Sequence, residues 1–342
     1  MKKGATKYIY GTAMTAKSAL AAGSLALLLA ACSGENSAVT TNIGAVQTMS
    51  PTETTNQLLR PDDLPKALLD GKYKEIYARF NQPLKDAVSE ADLEKTGEEF
   101  TNGIHTFEKS STIQLNGYDR RIWVSDEGNK GLLGMFDSDG VITSIQVQEL
   151  TSSPETDSKL SKHKYALPFE GDWFVFWGGE NVLVNYHYEL EIQRYAYDFI
   201  QTKDHFSYKG DPLKNESYYA FGKEIIAPAD GTILSVVNDI LDNAPVGVMN
   251  PNEPAGNNVV IDHGGEYSHL AHLKKGSATV NPGDKVKKGD VIGLTGNSGN
   301  SSEPHLHFQL SDGPDLFTAR SINVKWENAM KPTQGETISS AN

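Results

Sequence analysis

The sequence predicts a mainly β C-terminal domain built of antiparallel sheets, preceded by a small α+β domain, and three observations carry that expectation. From Ala271 to Phe308, short β-type runs alternate with glycine turns at Gly276, Gly283, Gly289, Gly293 and Gly299. From Leu64 to Val147, two stretches of helical periodicity are followed by four β-type runs separated by turn residues. The length of 342 residues gives each of two domains room for its own core.

The N-terminal end reads as an export signal. Lys2, Lys3, Lys7 and Lys17 precede an apolar run from Ala19 to Ala31, which is short for a transmembrane helix and suited to a secretory signal over residues 1–31. The run ends in Leu29-Ala30-Ala31-Cys32, and Cys32 is the only cysteine in the chain. This junction resembles the bacterial lipobox, which implies lipidation of Cys32 and anchorage in a membrane through acyl chains, each buried methylene contributing about 0.8 kcal/mol. Ser33 resembles the residue that directs such lipoproteins to the outer membrane, facing the periplasm, in an organism with two membranes. Residues 32–60, rich in Ser, Thr, Asn and Ala, read as a flexible tether.

Residues 61–150 form the expected α+β domain. Leu64, Leu68, Tyr73, Ile76, Tyr77 and Phe80 recur near helical spacing, and a second helix is expected over Leu84 to Phe100. Strands follow at Ile113–Leu115, Ile122–Val124, Leu132–Phe136 and Val141–Val147, with turns at Asn116-Gly117, at Asp126-Glu127-Gly128 and at Asp137 to Gly140. The arrangement resembles small cystatin-like or NTF-like accessory domains. His105 stands alone there, so no metal or acid–base cluster is expected; the domain reads as a spacer, a protein-partner module or a substrate-positioning unit. Residues 151–166 read as a linker, 167–330 as the β domain and 331–342 as a C-terminal tail.

Within the β domain, Ile225, Val236, Val259 and Ile261 lie in β-branched runs broken at Ala229-Asp230-Gly231 and His263-Gly264-Gly265, as in antiparallel hairpins. Asp230 reads as a turn former and His263 as a solvent-facing turn residue. Asp239 to Pro254 reads as a long loop suited to border a groove.

Chemistry is concentrated in EPHLHFQL, residues 303–310. His305 and His307 are two apart in a β-type run, so both imidazoles share one face. A His-x-His pair on a strand surface is the bland alternative, but the sequence ahead of it, AHLKKGSATVNPGDKVKKGDVIGLTGNSG, shifts the balance. A histidine in an A-H-L segment, a G-D-x-V-x-x-G hairpin and an H-L-H-F strand stand here in order. Together they resemble the lysostaphin-like (LytM) family of zinc metallopeptidases, whose hairpins are related to barrel-sandwich hybrids.

That resemblance implies one zinc ion and a site that hydrolyses amides, with three protein ligands and one open position. It assigns His307 to the metal, His305 to proton transfer or transition-state stabilisation, and His272 to the second catalytic histidine. His269 in YSHL competes with His272, because it too resembles a family segment. Cys32 belongs to the N-terminal end, so the remaining ligands are expected among His and carboxylate residues. The common His-x-Gly-x-Asp spacing is absent. Asp198 stands at the aspartate position in YAYDF, while Arg194, which offers no lone pair, stands where the nearby histidine would be. His187 in NYHY resembles a family variant with the histidine displaced along the chain, which implies His187 and Asp198 as ligands if Glu189 to Gln193 loops back. Asp198 is equally compatible with a turn cap and His187 with a buried structural histidine. Tyr186, Tyr188, Tyr195 and Tyr197 include a possible hydrogen-bond donor for the reaction, with sheet packing as the commoner role.

Three functions follow from these residues. The first is a membrane-anchored zinc endopeptidase that cuts peptide cross-links of peptidoglycan. The second is a catalytically silent LytM-type regulator that activates cell-wall amidases. The third is a carrier module, since VNPGDKVKKGDVIG also resembles lipoyl-type hairpins, but that leaves the His-Leu-His strand without a use. The formal net charge of −13 argues against nucleic acid as a partner, and the lysines of residues 1–31 mean that the remainder is more acidic still. A protein partner is expected, if anywhere, on residues 61–150.

Overall fold

The computed structural model describes residues 59–340, and these belong to one compact unit. The signal segment 1–31, Cys32 and all but the last two residues of the 32–60 tether lie outside the described residues.

After a 3-10 turn at Pro61–Asp63, the described residues form α1 (Leu64–Leu69), α2 (Tyr73–Ala78), α3 (Gln82–Ala87) and α4 (Glu90–Thr101). The two helices expected from periodicity are thus each divided. Gly71, at φ 70°, turns the chain between α1 and α2. Ser89 starts α4 afresh with a capping box, its hydroxyl accepting from Asp92 N–H while the Asp92 carboxylate accepts from Ser89 N–H. The periodicity survives both breaks, because Leu64, Leu68, Tyr73, Ile76, Phe80, Leu93 and Phe100 share one core with Trp123, Leu132, Phe136 and Ile142 of the following sheet.

That sheet comprises β1 (Phe107–Leu115), β2 (Tyr118–Ser125), β3 (Lys130–Phe136) and β4 (Ile142–Glu149), antiparallel in sequence order. Asn116 and Gly117 both take positive φ, as a two-residue hairpin turn with right-handed strand twist requires. Both faces of the sheet carry packed apolar side chains. Its far side carries Ile122, Leu133 and Met135 against Leu183 and Val184, and Ile113 and Leu115 against Phe174, Phe176 and Ile200. Antiparallel sheets often leave one face to water; this one is sandwiched between its helices and the C-terminal half.

The C-terminal half adds β5 (Asp172–Trp177), β6 (Tyr197–Ile200), β7 (Glu224–Ile226), β8 (Gly231–Val237), β9 (Asn257–Asp262), β10 (Tyr267–Leu273), β11 (Lys285–Val286), β12 (Val291–Leu294), β13 (Leu306–Ser311) and β14 (Thr337–Ser339). Eight of these form an antiparallel sheet in the order β11-β8-β9-β10-β13-β6-β5-β14, and β12 pairs with β7 in a smaller ribbon. Trp173, Phe169, Phe199, Phe308, Leu270 and Leu306 are among the side chains buried in its core. The predicted mainly β domain behind a small α+β unit is the architecture found.

Three expectations are corrected. Residues 151–166 are not a free linker: they form the short helix α5 (Pro154–Asp157), and Asp157 accepts hydrogen bonds from the hydroxyls of Tyr188 and Tyr195. Buried Glu266 accepts from the Lys162 and His163 N–H groups and from the Tyr165 hydroxyl. Nor are residues 331–342 simply a tail, since β14 adds a strand to the edge of β5 and Gln334 is buried. Ser, Thr and Pro richness marks irregular backbone, and the structure adds that side chains from elsewhere tie that backbone down. His263 is buried instead of solvent-facing, with Nδ1 2.8 Å from the Asp230 carbonyl and Nε2 2.9 Å from the Ser268 hydroxyl.

Because the small sheet packs apolar side chains on both faces, removing core from it is expected to weaken the whole unit. Phe136→Ala is expected to cost about 3–5 kcal/mol and to lower the midpoint of a single unfolding transition. That transition should read the same by helical circular dichroism and by tryptophan fluorescence. Two separated transitions would contradict the single-unit reading.

Candidate metal centre

Four pieces of chain converge on Asp198. It lies on β6 directly across from His307 on β13, so strand register alone brings the two together, with His307 Nδ1 2.9 Å from Asp198 Oδ1. His187 arrives from outside the sheet, on a single 3-10 turn over Tyr186–Glu189, and its Nε2 is 3.7 Å from Asp198 Oδ2. His305 precedes β13 and places Nε2 3.6 Å from Asp198 Oδ1. The His272 ring lies 4.7 Å from that of His305 and 5.8 Å from that of His307.

His272 reaches this place through a backbone irregularity. In a regular strand it would face away from His307, because Ala271 is the residue paired with His307. The β9–β10 register shifts between Leu270 and Leu273, and His272 takes φ 60°, held by its N–H to the Ala255 carbonyl. This bulge turns the imidazole towards the cluster. His269, in regular strand, is buried with Nε2 2.6 Å from the Ser311 hydroxyl and is not part of the cluster.

The hydrogen bonds orient the rings. Nδ1 of His187 is 2.9 Å from Asn185 Oδ1, Nδ1 of His272 is 2.8 Å from the Ser298 carbonyl, and Nδ1 of His305 is 2.8 Å from the Glu303 carbonyl. Each of these oxygens is an acceptor, so each Nδ1 carries a hydrogen and each Nε2 is the nitrogen turned away from that partner. Asn185 is locked in turn, its amide donating to the carbonyls of Gly179, Arg194 and Ala196. The sequence reading did not give Asn185 a role; the N-x-H spacing was its only trace. Arg194, expected to be unable to ligate, donates from Nε to the Tyr188 carbonyl and so helps close the loop between His187 and Asp198. Of the four tyrosines weighed earlier, Tyr188, Tyr195 and Tyr197 are buried, while Tyr186 is exposed and its ring lies 3.9 Å from that of His187.

Burial and charge set the protonation states. Burial opposes ionisation of Asp198, but the electrostatic influence of the neighbouring His187, His305 and His307 rings and the hydrogen bond from His307 outweigh it together and hold the carboxyl below the usual range. Burial lowers His187 to about 3, and burial, then His305 and His307, drive His272 well below its ordinary value. At neutral pH these imidazoles are uncharged, as metal ligation or proton acceptance requires.

His187, Asp198 and His307 are all buried and can each present one ligand atom with all three within 4.8 Å of one another. Nε2 of His187 is buried without a hydrogen-bond partner, which is costly unless something accepts its lone pair; the nitrogen that His307 turns towards Asp198 is Nδ1. Two ligands about 2.1 Å from one ion at the tetrahedral angle lie roughly 3.4 Å apart, close to the separation of His187 and Asp198. The donor set and the orphaned His187 nitrogen fit a zinc ion.

Fold and cluster together present a His/Asp/His set that could hold a metal ion on an antiparallel sheet, flanked by two further imidazoles. Residues 217–318 match Peptidase family M23. The match includes His272, His305 and His307, whereas His187 and Asp198 precede it and join the site through the fold. An uncharacterized metalloprotease of Buchnera aphidicola is 36% identical over 133 residues, covering 39% of this chain and 33% of that protein. The peptidoglycan DD-endopeptidase ShyA of Vibrio cholerae is 49% identical over 83 residues, 24% of this chain and 18% of that one. The chain thus spans a third or less of the length of these relatives. Among solved structures, the catalytic domain of lysostaphin from Staphylococcus simulans is similar at 21% identity and a TM-score of 0.26, covering 50% of this chain and 95% of that one.

Two outcomes are expected at this site. Asn185→Ala, which frees the His187 ring, should weaken zinc binding ten- to a hundred-fold in a competition titration. Unfolded histidines titrate near 6.5, whereas His187 and His269 are lowered to about 3 and about 4 by burial. As pH falls below about 6.5 the unfolded metal-free chain takes up protons first, so stability present above that pH is lost progressively towards pH 3. A melting temperature of metal-free chain that stays level from pH 7 to pH 4 would contradict this.

Proposed function

We propose that this chain is a zinc endopeptidase of the bacterial cell envelope, held to a membrane by lipid on Cys32, that hydrolyses peptide bonds in peptidoglycan cross-links. The observation that carries the reading is the buried cluster of His187, Asp198 and His307, in which Nε2 of His187 lacks a partner beside an ionised Asp198. Support for the substrate comes from the similarity to a peptidoglycan DD-endopeptidase, and support for the location from the lipobox-like junction at Cys32. Residues 61–150 then stand between tether and catalytic part.

His187, Asp198 and His307 hold the zinc, which supplies polarisation of the scissile carbonyl and acidification of a water when bound. His272 and His305 face the same space with their Nε2 atoms, fixed by the Ser298 and Glu303 carbonyls behind them. One takes the proton released as water attacks the carbonyl carbon and returns it to the leaving amine as the C–N bond breaks. The protonated ring also stabilises the developing oxyanion. The loop from Asp239 to Pro254 borders this space: Asn243 donates to the Gly299 and Ser301 carbonyls, in the segment that leads to His305. Leu241, Val248 and Met249 stand exposed on that loop, an apolar rim for a substrate strand.

The regulator alternative differs in its use of metal. Mass spectrometry of purified peptidoglycan incubated with the protein should detect newly cleaved cross-links that vanish with a chelator. His307→Ala should lose both zinc and cleavage, and His272→Ala should keep zinc while losing about 10²–10⁴-fold in rate. His269→Gln should leave cleavage unchanged. Metal-free protein that cuts nothing yet stimulates an amidase would establish the regulator instead. Labelled palmitate should enter the wild type and not Cys32→Ala; equal labelling of both would remove the anchor.

A further inference from the structure

The ligand His187 is the member of the metal set least anchored by the catalytic sheet. Asp198 and His307 sit on paired strands, but His187 belongs to a turn outside the sheet. What lies behind that turn is the small sheet of residues 107–149. Leu183 and Val184 are buried against Ile122 and Leu133 of β2 and β3, with Leu150 beside them. Gly131 on β3 leaves the space that Leu183 fills, for a Cβ there would overlap Leu183 Cδ1.

One cation ties these surfaces. Arg120, on β2, donates from its guanidinium to the Leu183 carbonyl at 2.8 Å and to Gln334 Oε1, and its guanidinium lies over the Trp177 ring at 5.0 Å from the centroid. Burial lowers it only to about 10, so it is charged at neutral pH. From Trp177 the packing continues edge-on to Tyr186 at 5.2 Å and from Tyr186 to His187 at 3.9 Å. A second route runs from Leu183 through Asn181, whose side chain accepts from the Leu183 and Val184 N–H groups, to Asn185, whose N–H bonds the Asn181 carbonyl and whose side chain accepts from His187. Both routes start at Arg120.

We infer that the α+β portion is a positioning element of the metal centre, in which Arg120 holds the turn over residues 181–189 so that His187 faces Asp198 and His307. Arg120 touches neither metal nor substrate; it acts through Leu183 and Trp177. A buried guanidinium suits the task because its planar fork bonds a carbonyl and an amide in fixed directions while its face stacks on an indole. The α+β portion is then a structural part of the active site, a role beyond that of spacer or partner module. The inference rests on the metal-centre reading, and its test separates the two.

The full chain is compared as wild type, Arg120→Ala, Arg120→Lys and the surface control Arg320→Ala. Three quantities are read: the zinc dissociation constant, the visible absorption of the cobalt(II)-substituted protein, and the imidazole NMR signals of His187 and His269 in metal-free protein. Arg120→Ala is expected to weaken zinc binding ten- to a hundred-fold, to shift the cobalt bands and to move the His187 signals but not those of His269. Arg120→Lys should restore part of the affinity, and Arg320→Ala should resemble wild type. A folded Arg120→Ala protein with wild-type zinc affinity, cobalt spectrum and His187 signals overturns the inference. If Arg120→Ala does not fold, Arg120→Lys decides: a wild-type ligand spectrum overturns the inference and a shifted one supports it. Failure of the wild type to bind zinc would instead defeat the metal-centre reading, and the His187 signals of the metal-free variants would still report whether Arg120 positions that ring.

Discussion

The structure depends on keeping one carboxylate ionised in a buried place. Asp198 is almost wholly removed from water, where an unpaired charge would be prohibitively costly. It is tolerable because the side chains around it are imidazoles whose outward nitrogens are held by Asn185 and by the carbonyls of Glu303 and Ser298, and because His307 bonds it directly. Every loop that meets there is shaped by that requirement. The segment from Asn297 to Ser301 presents carbonyls to His272 and Asn243, and the turn over 181–189 presents Asn185 to His187.

The need for orientation explains the hydrogen-bonded shell better than stability does. A neutral histidine can bond through either nitrogen, and only a fixed partner selects one. Three of the rings are so selected, all with Nε2 turned inward. A cation that accepts the lone pair of His187 would resolve a buried atom left without a partner, which makes the metal a component of the fold's polar balance as well as of its chemistry.

The N-terminal α+β portion shares in this balance. A four-stranded sheet with one solvated face could be detached without consequence for its neighbour. Here Ile122 and Leu133 face Leu183 and Val184, and Ile113 and Leu115 face Ile200. Gln334, from a segment expected to be a tail, bonds both Ser111 and Arg120 and donates to the Phe176 carbonyl. The parts therefore share core as well as chain.

By itself the sequence determined the local elements. Alternation and glycine turns marked β11, β12 and β13, helical spacing marked Leu64 to Phe80, and Asn116-Gly117 marked its hairpin, because these depend on side chains within a few residues of one another. It also placed His305 and His307 on one face, since strand geometry has a period of two. Beyond that it named His187, Asp198 and His272 only through resemblance. The tertiary structure decided the rest. His272 enters the cluster through a bulge that breaks the period, His187 through a turn braced by residues more than sixty positions earlier, and His263 leaves solvent because Asp230 and Ser268 enclose it. Each of these rests on contacts between distant stretches of chain, and a linear pattern records the preferences of neighbours but not the partners that folding supplies.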